Sequence, residues 1–364
     1  MRAAWYVAYF NPRSASLRYR CLYPVAELKR QGHDVELFEP ARADAYETVV
    51  FDAWTLFPTV TSEESADRVL ALAGELKQRG KRIVLDNCDN QFAADAVNAA
   101  WQRALDRLRT LVHLSDSLVV CSEALAEVMN EQTDPGQNIR VIGDPAELRI
   151  RSPRDSALRS FFSPQRKRSW LRYWQHRLRV REDAREGRTP LVWFGSHGNH
   201  FAVGGMLELA KMRKGLEARN RSHPISLSVI SNHRPKFEQN FGGWSFPVRY
   251  LEWDRVTFLA ALPLHAISLI PTEINDFTRC KSSNRVVLSL AHGLAVVADE
   301  IPSYREFSEV IHLGDIEYGL NEYLSDPALR RHHVAAGRRI VASRYSLSAI
   351  AEQWRAVLTD HPAK

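Results

Sequence analysis

At 364 residues, with 45% hydrophobic and 25% charged positions, the chain is long enough for two globular domains and has the composition of one that folds. No apolar run approaches the ~20 residues of a membrane span, and no charged region followed by an apolar signal core opens the chain. Cys21, Cys88, Cys121 and Cys280 are scattered without a C-x-x-C pair, which predicts reduced thiols and a cytoplasmic protein, while the formal charge of +6 favours anionic partners.

Ala3 to Phe10 reads as a first strand, followed by the loop NPRSAS and a helix from Arg18 to Gln31. A dinucleotide fold would carry G-x-G-x-x-G here, and its absence counts against NAD or FAD. Arg18 and Arg20 stand at this helix start instead. They are either contacts for an acceptor or phosphate, or solvated first-turn residues that oppose the helix dipole. Short β-rich runs follow at Asp34 to Phe38, Thr48 to Phe51, Arg82 to Leu85, Ser117 to Val120 and Ile139 to Ile142. Helical stretches such as Glu63 to Gln78 and Phe92 to Leu114 separate most of them, the alternation of a doubly wound parallel sheet. Asp86 follows one strand and is a candidate contact for sugar or acceptor, whereas Asp89 fits a helix cap better.

The segment 149–188 breaks this rhythm. It is rich in Arg and aromatic residues, and Trp170, Trp174 and Leu178 share one face of a helix over Gln165 to Glu186. Such a helix either lies on an anionic membrane face or packs its aromatics on a neighbouring domain. No recognised nucleic-acid module accompanies the run, which counts against nucleic acid.

A second array begins at Thr189. Leu191 to Phe194 is a strand, and Gly195-Ser196-His197-Gly198 forms a tight loop that lets a phosphate approach the backbone. Strands at Ile225 to Ile230, Val248 to Leu251 and His265 to Ile270 precede the polar cluster Arg279, Lys281, Ser282, Ser283, Asn284 and Arg285. This cluster leads into a helix with Val286, Val287, Leu290 and Ala291 on its apolar face, capped by Ser282 or Ser283 and ended by Gly293. Leu294 to Ala298 is then a buried strand. A helix start with free N–H groups beside Lys281 is an anion site in outline.

The stretch KSSNRVVLSLAHGLAVVADEIPSYREF resembles the donor-binding segment of retaining GT-B glycosyltransferases related to family 4, and the likeness is strongest from Leu191 onward. It implies an α/β fold of two Rossmann-like doubly wound parallel-sheet domains facing a cleft. The expected N-terminal, acceptor-side domain is 1–148, with a C-terminal helix 348–364 packing back on it. The segment 149–188 connects it to a donor-side domain at 189–347. The implied activity moves a sugar from a nucleotide-diphosphate sugar, the co-substrate, to an acceptor hydroxyl with retention, without metal or other cofactor. The acceptor would be a glycan, a lipid-linked group or another hydroxyl, reached in part from the inner face of a membrane.

Lys281 and Asp86 are the candidate catalytic residues, and Gly195, Ser196, Lys281, Ser282, Asn284 and Glu273 the candidate donor contacts. Three features depart from the family pattern. Its Gly-Gly loop near the N-terminus is replaced here by SLRYR, and the Arg and Lys expected after the Gly195 loop have no clear match. Cys280 and Leu288 occupy the positions of a usual pair of glutamates. The loss of that pair keeps an alternative open, a non-catalytic GT-B-shaped protein that binds a sugar or nucleotide.

Overall fold

A computed structural model describes residues 2–93, 98–134, 136–148, 164–196, 198 and 205–360. The strands are β1 (Arg2–Tyr6), β2 (Asp34–Leu37), β3 (Thr48–Asp52), β4 (Arg82–Asn87), β5 (Ser117–Val120) and β6 (Ile139–Val141), then β7 (Thr189–Phe194), β8 (Ile225–Ser231), β9 (Val248–Glu252), β10 (Ile267–Ile270), β11 (Ala295–Ala298) and β12 (His312–Leu313). The helices are α1 (Tyr23–Arg30), α2 (Glu63–Gln78), α3 (Ala99–Leu114), α4 (Glu123–Asn130), α5 (Pro164–Arg185), α6 (Met206–Lys211) and α7 (Arg213–Ser222), then α8 (Arg234–Phe241), α9 (Arg255–Ala261), α10 (Asn284–Ala291), α11 (Ile316–Ser325), α12 (Pro327–Arg344) and α13 (Leu347–Thr359).

Two six-stranded sheets form, every pairing parallel: β2-β1-β3-β4-β5-β6 and β12-β11-β10-β7-β8-β9. Runs of successive apolar residues are buried in their central strands, as expected where both faces are covered: Val49, Val50 and Phe51 in one sheet, and Leu191, Val192 and Trp193 in the other. The chain divides into two units. Unit 1 joins Met1–Pro145 with Asn275–Asn284 and Ser343–Lys364; unit 2 comprises Ala146–Ile274 and Arg285–Ala342. Residues 275–284, which lie in sequence between strands β10 and β11 of unit 2, therefore group with unit 1.

Within unit 1, the helix expected from Arg18 begins instead as a π turn over Leu17–Leu22. Pro24, which has no N–H for the carbonyl four residues back, sits where this turn gives way to α1. The strand expected to reach Phe10 stops at Tyr6. Helix α3 starts at Ala99, where Asn98 Oδ1 accepts the Trp101 N–H at 2.9 Å, so the Phe92 start is not realised. Helix α13 buries Trp354, whose ring meets Trp5 of β1 edge-on at 5.5 Å.

Unit 2 holds α5 by its inner face. His265 Nδ1 faces the Leu262 carbonyl at 3.2 Å and donates to it. Its Nε2 therefore accepts the Ser228 hydroxyl at 2.7 Å, and that oxygen accepts His176 Nε2–H of α5 at 3.1 Å. Burial holds both imidazoles well below their ordinary range, His176 at about 3 and His265 at about 4, which keeps the chain neutral. Helix α10 ends in a Schellman motif at Gly293 (φ +85°): Gly293 N–H bonds the Leu290 carbonyl and Leu294 N–H the Ser289 carbonyl. Residues 149–163, with the first part of the basic segment, lie outside the described residues.

Candidate functional sites at the strand ends

Ligands of open α/β sheets collect at the carboxyl ends of strands where the strand order reverses. The order reverses between β1 and β3 in unit 1, and between β7 and β10 in unit 2.

In unit 1, Asp86 of β4 stands at that edge, but its carboxylate is enclosed. Arg20 grips it through Nη2 to Oδ1 at 2.6 Å and through Nε to both oxygens at 3.1 and 3.2 Å. Nη1 of Arg20 donates to the Ile142 carbonyl and lies 3.6 Å from Asp144 Oδ1. Burial pushes the Asp86 carboxyl up against the pull of Arg20, while Asp86 and Asp144 overcome burial and hold the guanidinium charged. Arg18 is also buried, and its Nη1 donates to the carbonyls of Pro12, Arg13 and Ser14. The two arginines thus point inward, where carboxylates and carbonyls compensate their charge. Neither is the solvated cation that its place at a helix start suggests.

The 281–284 loop meets the same edge. Lys281 Nζ lies 2.5 Å from Asp89 Oδ1 and 4.0 Å from the centre of the Phe277 ring. Burial pulls the ammonium down, yet Asp89 outweighs it, so the Lys281 pKa is raised. Asp89 also accepts Trp54 Nε1–H at 3.0 Å, and the expected capping role falls to Asn90, whose Oδ1 takes the Phe92 N–H. Ser282 Oγ donates to Asp144 Oδ2 at 2.6 Å and Ser283 Oγ to the Tyr345 hydroxyl at 3.3 Å. Both hydroxyls expected to cap α10 are therefore bonded to other side chains. Asn284 Nδ2 is buried and finds no partner among the described residues.

Sequence reasoning missed Asp52. It ends β3 in register with Asp86, at the reversal of strand order, and the strand-end rule that selected Asp86 applies to it equally. Oδ1 accepts the Trp54 N–H at 3.0 Å, and Oδ2 has no partner among the described residues. Burial, with Asp86 adding its charge, pushes the carboxyl up to about 7. A raised acid is held protonated by the fold and ionises freely when unfolded. Stability from Asp52 is thus greatest below its unfolded value of about 4 and is lost as pH rises to about 7, on the order of 4 kcal/mol. Asp52→Asn, which keeps an N-cap acceptor, should remove that loss. Melting temperatures of variant and wild type should diverge in the variant's favour from pH 4 to 7 and run parallel above pH 8; a constant gap across that range refutes the assignment.

In unit 2, the Gly195 N–H bonds the Ile230 carbonyl at 3.2 Å, and the Gly195 carbonyl accepts Ser231 Oγ at 2.9 Å. Ser196 is exposed. Gly205 (φ +66°) lies against this loop so closely that a Cβ would sit 2.7 Å from the Ser196 carbonyl oxygen and 3.0 Å from Gly198 N. His197 and residues 199–204 lie outside the described residues.

A cavity of about 560 Å³ opens at the carboxyl ends of β10, β11 and β12, lined among others by Glu208, Lys211, Pro271, Asp299, Asp315 and Glu317. Asp299 Oδ2 accepts the Thr272 N–H at 2.7 Å, and burial, helped by Glu208, pushes its carboxyl up. Lys211 Nζ bonds Glu208 at 2.7 Å and lies 3.9 Å from Glu273, which is exposed. Gly195, Ser196 and Glu273 thus belong to unit 2, whereas Lys281, Ser282 and Asn284 group with Asp86 and Arg20 in unit 1.

No protein-family model matches the chain, and no curated protein sequence matches it. Solved structures do. WaaG, a glycosyltransferase involved in lipopolysaccharide biosynthesis, superposes with a TM-score of 0.61 at 14% identity, covering 99% of this chain and all of that one. A trehalose-6-phosphate protein from E. coli bound with UDP-2-fluoro glucose gives 0.60 at 12% identity, covering all of both chains. The pneumococcal O-GlcNAc transferase GtfA, in complex with UDP and GlcNAc, gives 0.53 at 11% identity over 85% of this chain and 56% of that one. Such identities carry the fold, and the fold of this chain is that of the GT-B glycosyltransferases.

Proposed function

We propose that the chain is a glycosyltransferase that moves a sugar from a nucleoside-diphosphate sugar to an acceptor hydroxyl with retention, in glycan, glycolipid or glycoconjugate assembly on the cytoplasmic side. The observation that carries this reading is the cavity at the carboxyl edge of the unit 2 sheet, beside the reversal of strand order, in a GT-B fold. Its carboxylates, Glu208, Asp299, Asp315 and Glu317, suit the hydroxyl groups of a ribose or sugar. In the reaction the bond from the anomeric carbon to the diphosphate breaks and a bond to the acceptor oxygen forms. The acceptor proton passes to the departing phosphate, so the protein's task is to stabilise negative charge.

By the resemblance of the KSSNR segment to the family's donor loop, that charge is assigned to Lys281 and to the Asn284 amide, which has no partner among the described residues. Arg20, held by Asp86, sets the geometry beneath them through Asp144 and Ser282. Gly195 and Ser196 offer a backbone approach to the donor, and Glu273 a carboxylate beside Lys211. The scheme assigns no role to a metal ion or other cofactor.

A panel of nucleoside diphosphates and their sugars tests it. The cognate donor should raise the melting temperature, by about 2.7 kcal/mol of stability at a hundredfold excess over Kd, and its nucleoside diphosphate should be released when acceptor is added. Stabilisation without release, with or without a broad range of acceptors, would favour the non-catalytic reading that Cys280 and Leu288 keep open. No stabilisation by any member would overturn both.

A further inference from the structure

Helix α5 carries two faces of different chemistry. Tyr173, His176, Val180 and Asp183 are buried at helical spacing. Tyr173 joins the apolar cluster of Val192, Phe194 and Phe258, His176 bonds Ser228, and Asp183 grips Arg249 at 2.5 and 3.0 Å. These contacts fix α5 on unit 2. Trp170, expected to share a face with Trp174, packs against the same cluster instead and meets Tyr173 edge-on at 5.4 Å.

The opposite face is exposed and apolar along its crest. Leu171, Trp174 and Leu178 are 59%, 48% and 65% exposed, at i, i+3 and i+7. Arg181 and Arg185 continue the same row, and Arg168, Arg172 and Arg179 flank it. The helix has eight basic residues against two acidic ones, and one of the two, Asp183, faces inward. Its formal charge therefore equals the +6 of the whole chain. Arg168, Arg172, Arg179 and Arg181 are exposed and have no carboxylate partner among the described residues.

A helix needing only to cover unit 2 would gain nothing from three large apolar side chains on its solvent crest. Arginine phosphate contacts alone, as on nucleic acid, would not need them either. We propose that α5 docks lengthwise on an anionic membrane surface. Leu171, Trp174 and Leu178 enter the boundary between headgroups and acyl chains, and the flanking arginines meet lipid phosphates. At 22 residues the helix is about 33 Å long, and it lies in the membrane plane. Among the described residues no helix is long and apolar enough to cross a membrane, so the attachment is peripheral and reversible.

The full chain should be sedimented with vesicles of phosphatidylcholine alone and of phosphatidylcholine mixed equally with phosphatidylglycerol. Binding should be confined to the anionic vesicles and fall steeply as salt is raised. Leu171→Ser/Trp174→Ser/Leu178→Ser and Arg168→Gln/Arg172→Gln/Arg179→Gln/Arg181→Gln alter only exposed side chains, so both should keep the wild-type circular dichroism spectrum. The serine variant should lose at least tenfold in partitioning and the glutamine variant at least a hundredfold, each charge near the surface being worth about fivefold. Bromine-labelled acyl chains should quench the wild type, and quench Trp174→Phe less at equal binding. Equal binding to both vesicle types overturns the proposal. So does binding that survives the serine changes, or retention by a polyglutamate column with no binding to either vesicle.

Discussion

Arg20→Ala should destabilise the protein by about 3–5 kcal/mol, the cost of leaving a buried carboxylate without its partner. Asp86 receives three hydrogen bonds from that one guanidinium, and both side chains are about 5% exposed. The truncation also strands the Ile142 carbonyl and removes the cation lying 5.5 Å from the Trp354 ring centre. Arg20→Met with Asp86→Leu removes both charges together and should recover much of the loss, because two desolvation costs vanish with the pair. Urea unfolding at pH 7 of the wild type, single and double variants gives the comparison.

The single variant has a pH signature as well. Without Arg20 the Asp86 carboxyl rises further in the folded state, so its deficit is greatest at neutral pH and shrinks as pH falls toward the unfolded carboxyl value of about 4. A single variant within 1 kcal/mol of wild type at pH 7, or a double variant no better than the single, would show that Arg20 and Asp86 are not the buried pair described.

Much of the fold is legible in the sequence because parallel strands declare themselves. Ser117–Val120 and the helix Glu63–Gln78 lie where composition and periodicity put them, since a strand covered on both faces is a near-continuous apolar run and an amphipathic helix must repeat its apolar side. The candidate site was less legible. Whether Arg20 faces solvent or a carboxylate 66 residues away is decided by pairing across the sheet, and no local pattern encodes that. Asp52 was overlooked for a related reason: an aspartate that caps a short turn and one that ends a strand at the reversal point look alike until the strand order is known. The 275–284 loop groups with unit 1 through bonds such as Ser122 Oγ to the Cys280 carbonyl at 2.7 Å and Asn90 Nδ2 to the Asp276 carbonyl at 2.9 Å. Those partners are more than 150 residues apart in sequence.

Lys281→Ala should separate stability from chemistry. The side chain is 36% exposed, so losing its ion pair with Asp89 should cost only about 0.5–1 kcal/mol, with Trp54 still bonded to Asp89. If Lys281 neutralises a leaving diphosphate, the same change removes a charge-assisted contact worth about 1.5–3 kcal/mol, or roughly ten- to two-hundredfold in donor affinity or rate. Charge accumulates on the diphosphate as it departs, so turnover should fall at least as much as donor binding. Lys281→Arg should restore only part of the rate, because the planar guanidinium engages Asp89 and the Phe277 ring at different distances from a point-like ammonium. Asp89→Asn then tests orientation. It keeps an acceptor for Trp54 but removes the opposing charge, so the ammonium is held less firmly and the rate should fall while Lys281 remains. A folded Lys281→Ala protein with wild-type donor binding and turnover would end the assignment and leave Lys281 as one half of a structural ion pair; the search for the charge-stabilising group would then move to the Gly195 loop and to the Asn284 amide, which has no partner among the described residues.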